Sequence, residues 1–430
     1  MAGGPSYGDL ARAGLKVGFL GFGGPAGQIA LMHRVFVDER RWIDEPRYLH
    51  ALNYCMLLPG PEAQQLATYV GWLLKGVRGG VLLGLLFILP GALVVGLLSW
   101  IYAAWGRTGW SEALFYGIKA AVVALVFEAL VKVGRRSLKG PADLAIAVAA
   151  LAALSLFSVP FPLVVLAAGL IGLSRARRGG VDSEPDGIER RQPSVAGALK
   201  AAAVWGGAWL APLATSFLVL GPGHVVTQVG RLFSTLAVVT FGGAYAVLAY
   251  VKQEAVETHG WLSSAQMIDG LGLAETTPGP LILVNQFVGW MAGWGEGGVA
   301  VAVACALMAS WCTFAPSFLF IFAGAPWAEA LRRNARAKGF LAGVSAAVLG
   351  VIAHLGLWFA LHVLFARTGQ AAAPWGASVD YPVLVSFDPV AAALAVAAAF
   401  ALMRLKWSAP VVILLCGLVG LTLGLPEMLA

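Results

Sequence analysis

Two identical tripeptides, Pro59-Gly60-Pro61 and Pro278-Gly279-Pro280, interrupt apolar segments at corresponding places in the two halves of a 430-residue chain. Neither can lie inside a regular helix. The first proline removes an amide donor and disfavours helix at the residue before it, while the second suits the opening turn of a new helix. The halves agree further: Phe22-Gly23-Gly24 and Phe241-Gly242-Gly243 share the offset of the tripeptides, as do Arg12 with Arg231, His33 with Lys252 and Trp42 with Trp261. A one-residue gap then pairs Gly71-Trp72 with Gly289-Trp290 and Gly79-Gly80 with Gly297-Gly298. Duplicated hydrophobic segments broken by Pro and Gly point to the midplane binding site of a transporter.

The surrounding sequence places these breaks in a bilayer. Segments 80–104, 297–324, 339–366 and 407–425 contain no Asp, Glu, Lys or Arg, and a spanning helix needs roughly 20 such residues. Only 12% of the chain is charged, against about 25% in soluble domains. The apolar runs are continuous rather than alternating, which excludes a closed barrel and leaves helices to satisfy the backbone in lipid. The net charge of +7 falls mostly in short loops, so it reports orientation and not a nucleic-acid partner. Residues 1–14 lack the basic start and apolar core of a cleavable signal. Cys55, Cys305, Cys312 and Cys416 lie in apolar segments without CxxC spacing, which predicts buried free thiols and neither metal nor cofactor.

The expected fold is an all-α polytopic membrane protein of two homologous, inverted-topology repeats, with about 10–13 transmembrane segments. The first repeat covers 1–174, a polar linker 175–194, and the second repeat 195–430. Helices are expected over 12–34, 47–75 (broken), 80–104, 111–133, 142–174 (divided near Pro160 and Pro162), 196–219, 229–251, 262–294 (broken), 297–324, 339–366, 389–403 and 407–425. Inversion follows from charge: Lys132, Arg135, Arg136 and Lys139 follow their segment, whereas Arg332, Arg333, Arg336 and Lys338 precede its counterpart. The number of crossings stays open, because each broken segment either crosses or re-enters.

A helix restarted inside the membrane presents unpaired N–H groups and the positive end of its dipole, here at Glu62, Ala63 and Gln64 and at Leu281, Ile282 and Leu283. Two such ends make a pocket for an anion. Each stabilises it by about 0.3–1 kcal/mol, up to ~2 when partly buried, whereas desolvating a charge costs several kcal/mol. Side chains must therefore add donors: Gln64, Gln65, Asn285 and Gln286 follow the breaks, and Thr276 and Thr277 precede the second. Lys119 supplies a positive charge for a dianion or pairs structurally with a carboxylate. Glu62, Glu275 and Glu128 are proton-coupling candidates, since burial favours the protonated carboxyl. The glycines of both Phe-Gly-Gly blocks read as points of close backbone approach. The nominal GxGxxA inside 18–27 follows no strand and is not a dinucleotide site, and no catalytic motif is present. GxxxG spacings such as Gly80/Gly84 and Gly289/Gly293 serve either internal packing or a homodimer.

The stretch FGGPAGQIALMHRVFVDERRWIDEPRYLHALNYCMLLPGPEAQQLATYVGW resembles the chromate ion transporter family, and TFGGAYAVLAYVKQEAVETHGWLS followed by TTPGPL resembles its second domain. The resemblance implies a long, two-domain chromate efflux protein of the bacterial inner membrane, proton-linked, that confers chromate resistance. It assigns the anion to Phe22, Gly23, Gly24, Pro59, Gly60, Pro61, Glu62, Gln64 and Gln65, with Phe241, Gly242, Gly243, Pro278, Gly279 and Pro280. Leu281 and Ile282 stand where the first repeat has Glu62 and the amide side chains, so the pocket is expected to be asymmetric. Sulfate has nearly the size and charge of chromate, and a sulfate carrier, a passive anion channel and an intramembrane chromate reductase are the competing readings.

Overall fold

A computed structural model describes residues 5–22, 24–106, 108–175, 194–241, 244–327, 334–372 and 378–429. Nearly all of the 175–194 linker, Gly23, Gly242, Gly243, Arg332 and Arg333 fall outside them. The chain forms two compact units, and each draws on both halves of the sequence: Met1–Leu97, Ala176–Ala244 and Thr277–Lys338 make the first, and Leu98–Arg175, Tyr245–Thr276 and Gly339–Ala430 the second.

The first unit contains α1 (Tyr7–Leu20), α2 (Gly24–His33), α3 (Glu45–Cys55), most of α4 (Glu62–Trp105), α8 (Val195–Leu220), α9 (Val225–Val239) and α12 (Val284–Gly324). Two of these helices fold back on themselves. In α4 the backbone leaves helical geometry at Lys75 and at Gly76, where φ is 63°, and in α12 it does so at Gly297 and at Gly298, where φ is 68°. Across the first reversal a Cβ on Gly71 would overlap the Gly79 carbonyl, and one on Gly84 would overlap the Thr68 hydroxyl. Across the second, Gly293 faces Val301, and Asn285 Nδ2 donates to Thr313 Oγ1 at 3.2 Å. Both helices are therefore antiparallel hairpins whose first arm is about 20 Å long at 1.5 Å per residue. The sequence-expected boundaries at 75/80 and 294/297 mark these reversals.

The hairpins also correct the alignment of the halves. Gly76 and Gly298 are equivalent, and the register that aligns them puts Glu62 on Val284, Gln64 on Gln286 and Gly71 on Gly293, one turn beyond the expected partner Gly289. Relative to the tripeptides the second half gains three residues here, the 3-10 turn Leu281–Leu283 between the second tripeptide and α12, where a one-residue gap had been expected.

Expected helices 12–34 and 229–251 are each broken as well. The first ends at Leu20 and restarts at Gly24, and the second ends at Val239 and restarts at Ala244. Gly24 has φ 70° with nothing within 4 Å of a built Cβ, so it serves as a left-handed corner and not as a point of close approach. Both restarted helices run into a π-turn, Arg34–Glu39 after α2 and Gln253–Thr258 after α10 (Ala244–Lys252). Each turn is bridged alike, His33 to Asp38 and Lys252 to Glu257. The duplicated sequence thus repeats down to single ion pairs.

In the second unit α5 (Gly109–Ser137) packs against α14 (Pro389–Met403) and α15 (Ala409–Leu429), with Gly117 pressed against the Cys416 carbonyl. α13 (Ala335–Leu364) lays Gly343 and Gly350 against carbonyls of α7 (Phe161–Arg175) and α6 (Pro141–Phe157). Small residues let the backbones approach where lipid gives no hydrophobic drive. α6 and α7 separate at Ser158, as the prolines led one to expect, and α11 (Ser264–Thr276) completes the unit's helices. Residues 366–388 hold an unexpected antiparallel hairpin, β1 (Thr368–Ala372) with β2 (Ser378–Pro382). Among the described residues five helices, α4, α5, α8, α12 with its leading 3-10 turn, and α13, are long and apolar enough to cross a membrane.

Candidate anion site at the paired breaks

Each Pro-Gly-Pro glycine is held by the other half of the sequence. Gly60 N–H donates to Thr240 O at 3.0 Å, and Gly279 N–H donates to Gly21 O at 3.2 Å. Thr240 and Gly21 are equivalent residues, each just before its Phe-Gly-Gly block, so the two bonds form a crossed pair inside the first unit. Gly60 and Gly279 have φ of 100° and 93°, a region that side chains with a Cβ enter at a cost of roughly 1–2 kcal/mol. The room is equally restricted: Gly91 of α4 lies against Pro278 O and the Gly279 backbone.

Amide side chains complete both breaks. Gln65 Nε2 donates to Pro59 O at 2.6 Å; Gln28 Nε2 donates to Gly279 O at 2.6 Å and to Gly21 O at 3.1 Å. Gln64 Nε2 reaches Thr68 Oγ1 at 3.2 Å, while the Thr68 hydroxyl donates to Gln64 O. Gln28, Gln64, Gln65 and Asn285 are fully buried, and the side-chain oxygen of each lacks a donor, as do the hydroxyls of Thr240 and Ser317. Ser317 Oγ lies 3.8 Å from where a Gly60 Cβ would stand.

The helix starts differ. Gln65 N–H closes the first turn of α4 on Pro61 O, whereas Leu283 N–H closes the 3-10 turn on Pro280 O, so Leu283 is not an open donor. Gln286 is engaged at both ends of its amide, donating to Ala92 O and accepting from Ser310. Glu62 occupies the first turn of α4 and is partly exposed. Thr277 is buried, and Thr276 Oγ1 donates to Leu273 O. Phe22 is 38% exposed, and Phe241 lies beside Thr240.

Of the expected ionisable residues Glu62 lies in the first unit, and Lys119, Glu128 and Glu275 belong to the second. Lys119 Nζ lies 3.4 Å from Asp269, whose other carboxylate oxygen accepts from Tyr102 at 2.7 Å. Glu275 accepts from Tyr245 at 2.6 Å, and Glu128 pairs with Lys132 at 2.7 Å. A cavity of about 660 Å³ in the same unit is lined by Lys252, His354, Trp358 and His362, with the Lys252 ammonium 4.9 Å from the Trp358 ring centre.

Sequence reasoning missed Gln28, Thr240, Ser317 and Asp269. A lone amide in GPAGQIALM and a lone carboxylate in MIDGLGLA were the available signals. Thr240 and Ser317 carried none.

A model of the chromate transporter family matches residues 8–173 and 227–421. The chain is 35% identical to a chromate transport protein of Pseudomonas aeruginosa, over 81% of this chain and 79% of the relative. It is 30% identical to a probable chromate transport protein of Synechococcus elongatus, over 81% and 84%. A chromate transport protein of Cupriavidus metallidurans is 29% identical over 79% of each chain. No solved structure matches.

Proposed function

We infer that this chain, which belongs to the chromate transporter family and is a multi-pass membrane protein, exports chromate from the bacterial cytoplasm across the inner membrane and so confers chromate resistance. The anion lies at the paired breaks of the first unit. The observation that carries this reading is the crossed pair Gly60 to Thr240 and Gly279 to Gly21, with buried amides and hydroxyls around it. Helix starts orient the anion, and Gln64, Gln65, Asn285, Thr240 and Ser317 supply adaptable polar groups. Alternating access follows if the two halves are inverted repeats and each crossed bond opens in turn. Proton exchange falls to carboxyls held in the second unit, Glu275 with Tyr245 and Glu128 with Lys132, or to Glu62 beside the first break. Lys119 serves that unit through Asp269 rather than as an isolated cation.

Radiolabelled chromate uptake into inside-out vesicles tests this. Vesicles carrying the chain should accumulate chromate against its gradient and faster with an imposed pH gradient. Uptake no faster than in vesicles lacking the protein overturns the reading. Uptake that never exceeds equilibrium and ignores the pH gradient makes the protein a passive channel.

A further inference from the structure

We propose that the cavity of the second unit is a further oxyanion site, open to the outer side of the membrane, in which Lys252 receives the exported anion and Glu257 competes with it for the ammonium. This rests on the reading that the chain exports chromate.

The two halves differ at this point in one telling way. In the first half the cation beside the π-turn is His33, held by both Asp38 and Glu45. The same offset puts Lys252 on His33, Glu257 on Asp38 and Ser264 on Glu45. One of two carboxylates is thus replaced by a hydroxyl, and among the described residues Lys252 keeps Glu257 alone as its carboxylate partner. Lys252, Glu257 and Ser264 all line the cavity of about 660 Å³, which is ample for a tetrahedral oxyanion. The ammonium is held in place, its side chain 3% exposed and lying 4.9 Å from the Trp358 ring centre, whereas the Glu257 side chain is 47% exposed and free to turn to water.

The side of the membrane follows from the helices that bound the cavity. α5 closes on Lys132, Arg135 and Arg136 just before α6 begins, and α13 opens on Arg336 and Lys338. Basic residues collect on the cytoplasmic side, so α6 and α13 both start there and end outside. Ser155 near the end of α6 and His362 near the end of α13 line the cavity, as does Asp380 of the following hairpin. The exposed Glu257 and Gln370 carry its wall to the surface. Lys252 has already lost its water on folding, so an anion that reaches it gains an attraction little screened by solvent. Glu257, five residues along the same turn, opposes that gain at the high effective concentration of a short tether. Asp380 adds a second negative charge to the lining. The anion is therefore held weakly while Glu257 stands by, which suits a site that must release what it receives.

The test is the melting temperature of purified full-length protein in detergent, titrated with sodium chromate against sodium chloride of equal ionic strength. A ligand that binds the folded state raises the melting temperature in proportion to its occupancy. Glu257→Gln removes the competitor and should reach half its full shift at roughly tenfold less chromate than wild type. Lys252→Met/Glu257→Gln, which removes both charges, should lose that gain. Ser264→Glu, which restores the second carboxylate and keeps Lys252 paired, should need more chromate than wild type; it decides the matter if Glu257→Gln does not fold. A chromate requirement unchanged in Glu257→Gln and in Ser264→Glu, or a gain that survives the loss of Lys252, overturns the inference. Wild-type vesicle uptake is scored separately: uptake without these shifts removes the Lys252 site and leaves export standing, whereas these shifts without uptake keep the site and remove export.

Discussion

Gln28 Nε2 lies 2.6 Å from Gly279 O, a hydrogen bond between residues 251 positions apart that ties the first Phe-Gly-Gly block to the second tripeptide. Replacing the amide by an apolar group of similar size should leave the carbonyls of Gly279 and Gly21 without it. Gln28→Leu is expected to lose about 1–3 kcal/mol of stability, read as a lower melting temperature of purified protein in detergent. Gln65→Leu should lose a similar amount at Pro59.

Gly60→Ala and Gly279→Ala place a Cβ at φ of 100° and 93°. Each should cost about 1–2 kcal/mol from backbone strain alone. Gly279→Ala is expected to be the worse, since its Cβ would stand 3.2 Å from the Gly91 Cα. Gly24→Ala, at φ 70° in open space, carries the strain without the clash. Thermal unfolding of the three variants should rank them in that order of severity.

The Lys119–Asp269 pair lends itself to a double-mutant cycle. Lys119→Met or Asp269→Asn alone leaves a charge in the second unit without its partner, which typically costs about 3–5 kcal/mol. The double variant should recover most of that loss in unfolding experiments. If it also recovers vesicle uptake, the pair is structural; recovered stability without recovered uptake assigns it a part in transport.

Hydrogen bonding to Glu45, aided by Asp38, raises the affinity of His33 for its proton. A raised pKa in the folded state stabilises the protein below the ordinary histidine value of about 6.5, and that contribution is lost as pH rises through the raised value. The melting-temperature difference between wild type and His33→Gln should therefore be greatest in mild acid and vanish in alkaline buffer. A difference that does not vary with pH would remove the histidine from the account.

The Pro-Gly-Pro breaks and most helices were legible in the sequence because proline and glycine act locally. The breaks at Phe22 and Phe241 were not, since no proline precedes them and the apolar pattern runs straight through. The one-turn error at Gly71 arose because three ordinary residues, Leu281 to Leu283, form a turn that adds length without any compositional mark. Lys119 drew attention as an intramembrane charge, but its partner Asp269 lies in a distant segment, and sequence spacing does not report pairing across such distances. Gln28 was hidden for the opposite reason: a single amide has no pattern, and only the fold reveals what it touches.

The crossed bonds at Gly60 and Gly279 bear on inheritance. Each half of the sequence holds the other's central break, so a change at these positions in one half is felt in the other. A chain of one half alone would leave its single tripeptide glycine without its acceptor, and only a second chain that provides the carbonyl would restore the bond. Within one chain that pairing is permanent, and the halves differ around it, with Glu62 and Gln65 following the first break and the turn Leu281–Leu283 following the second.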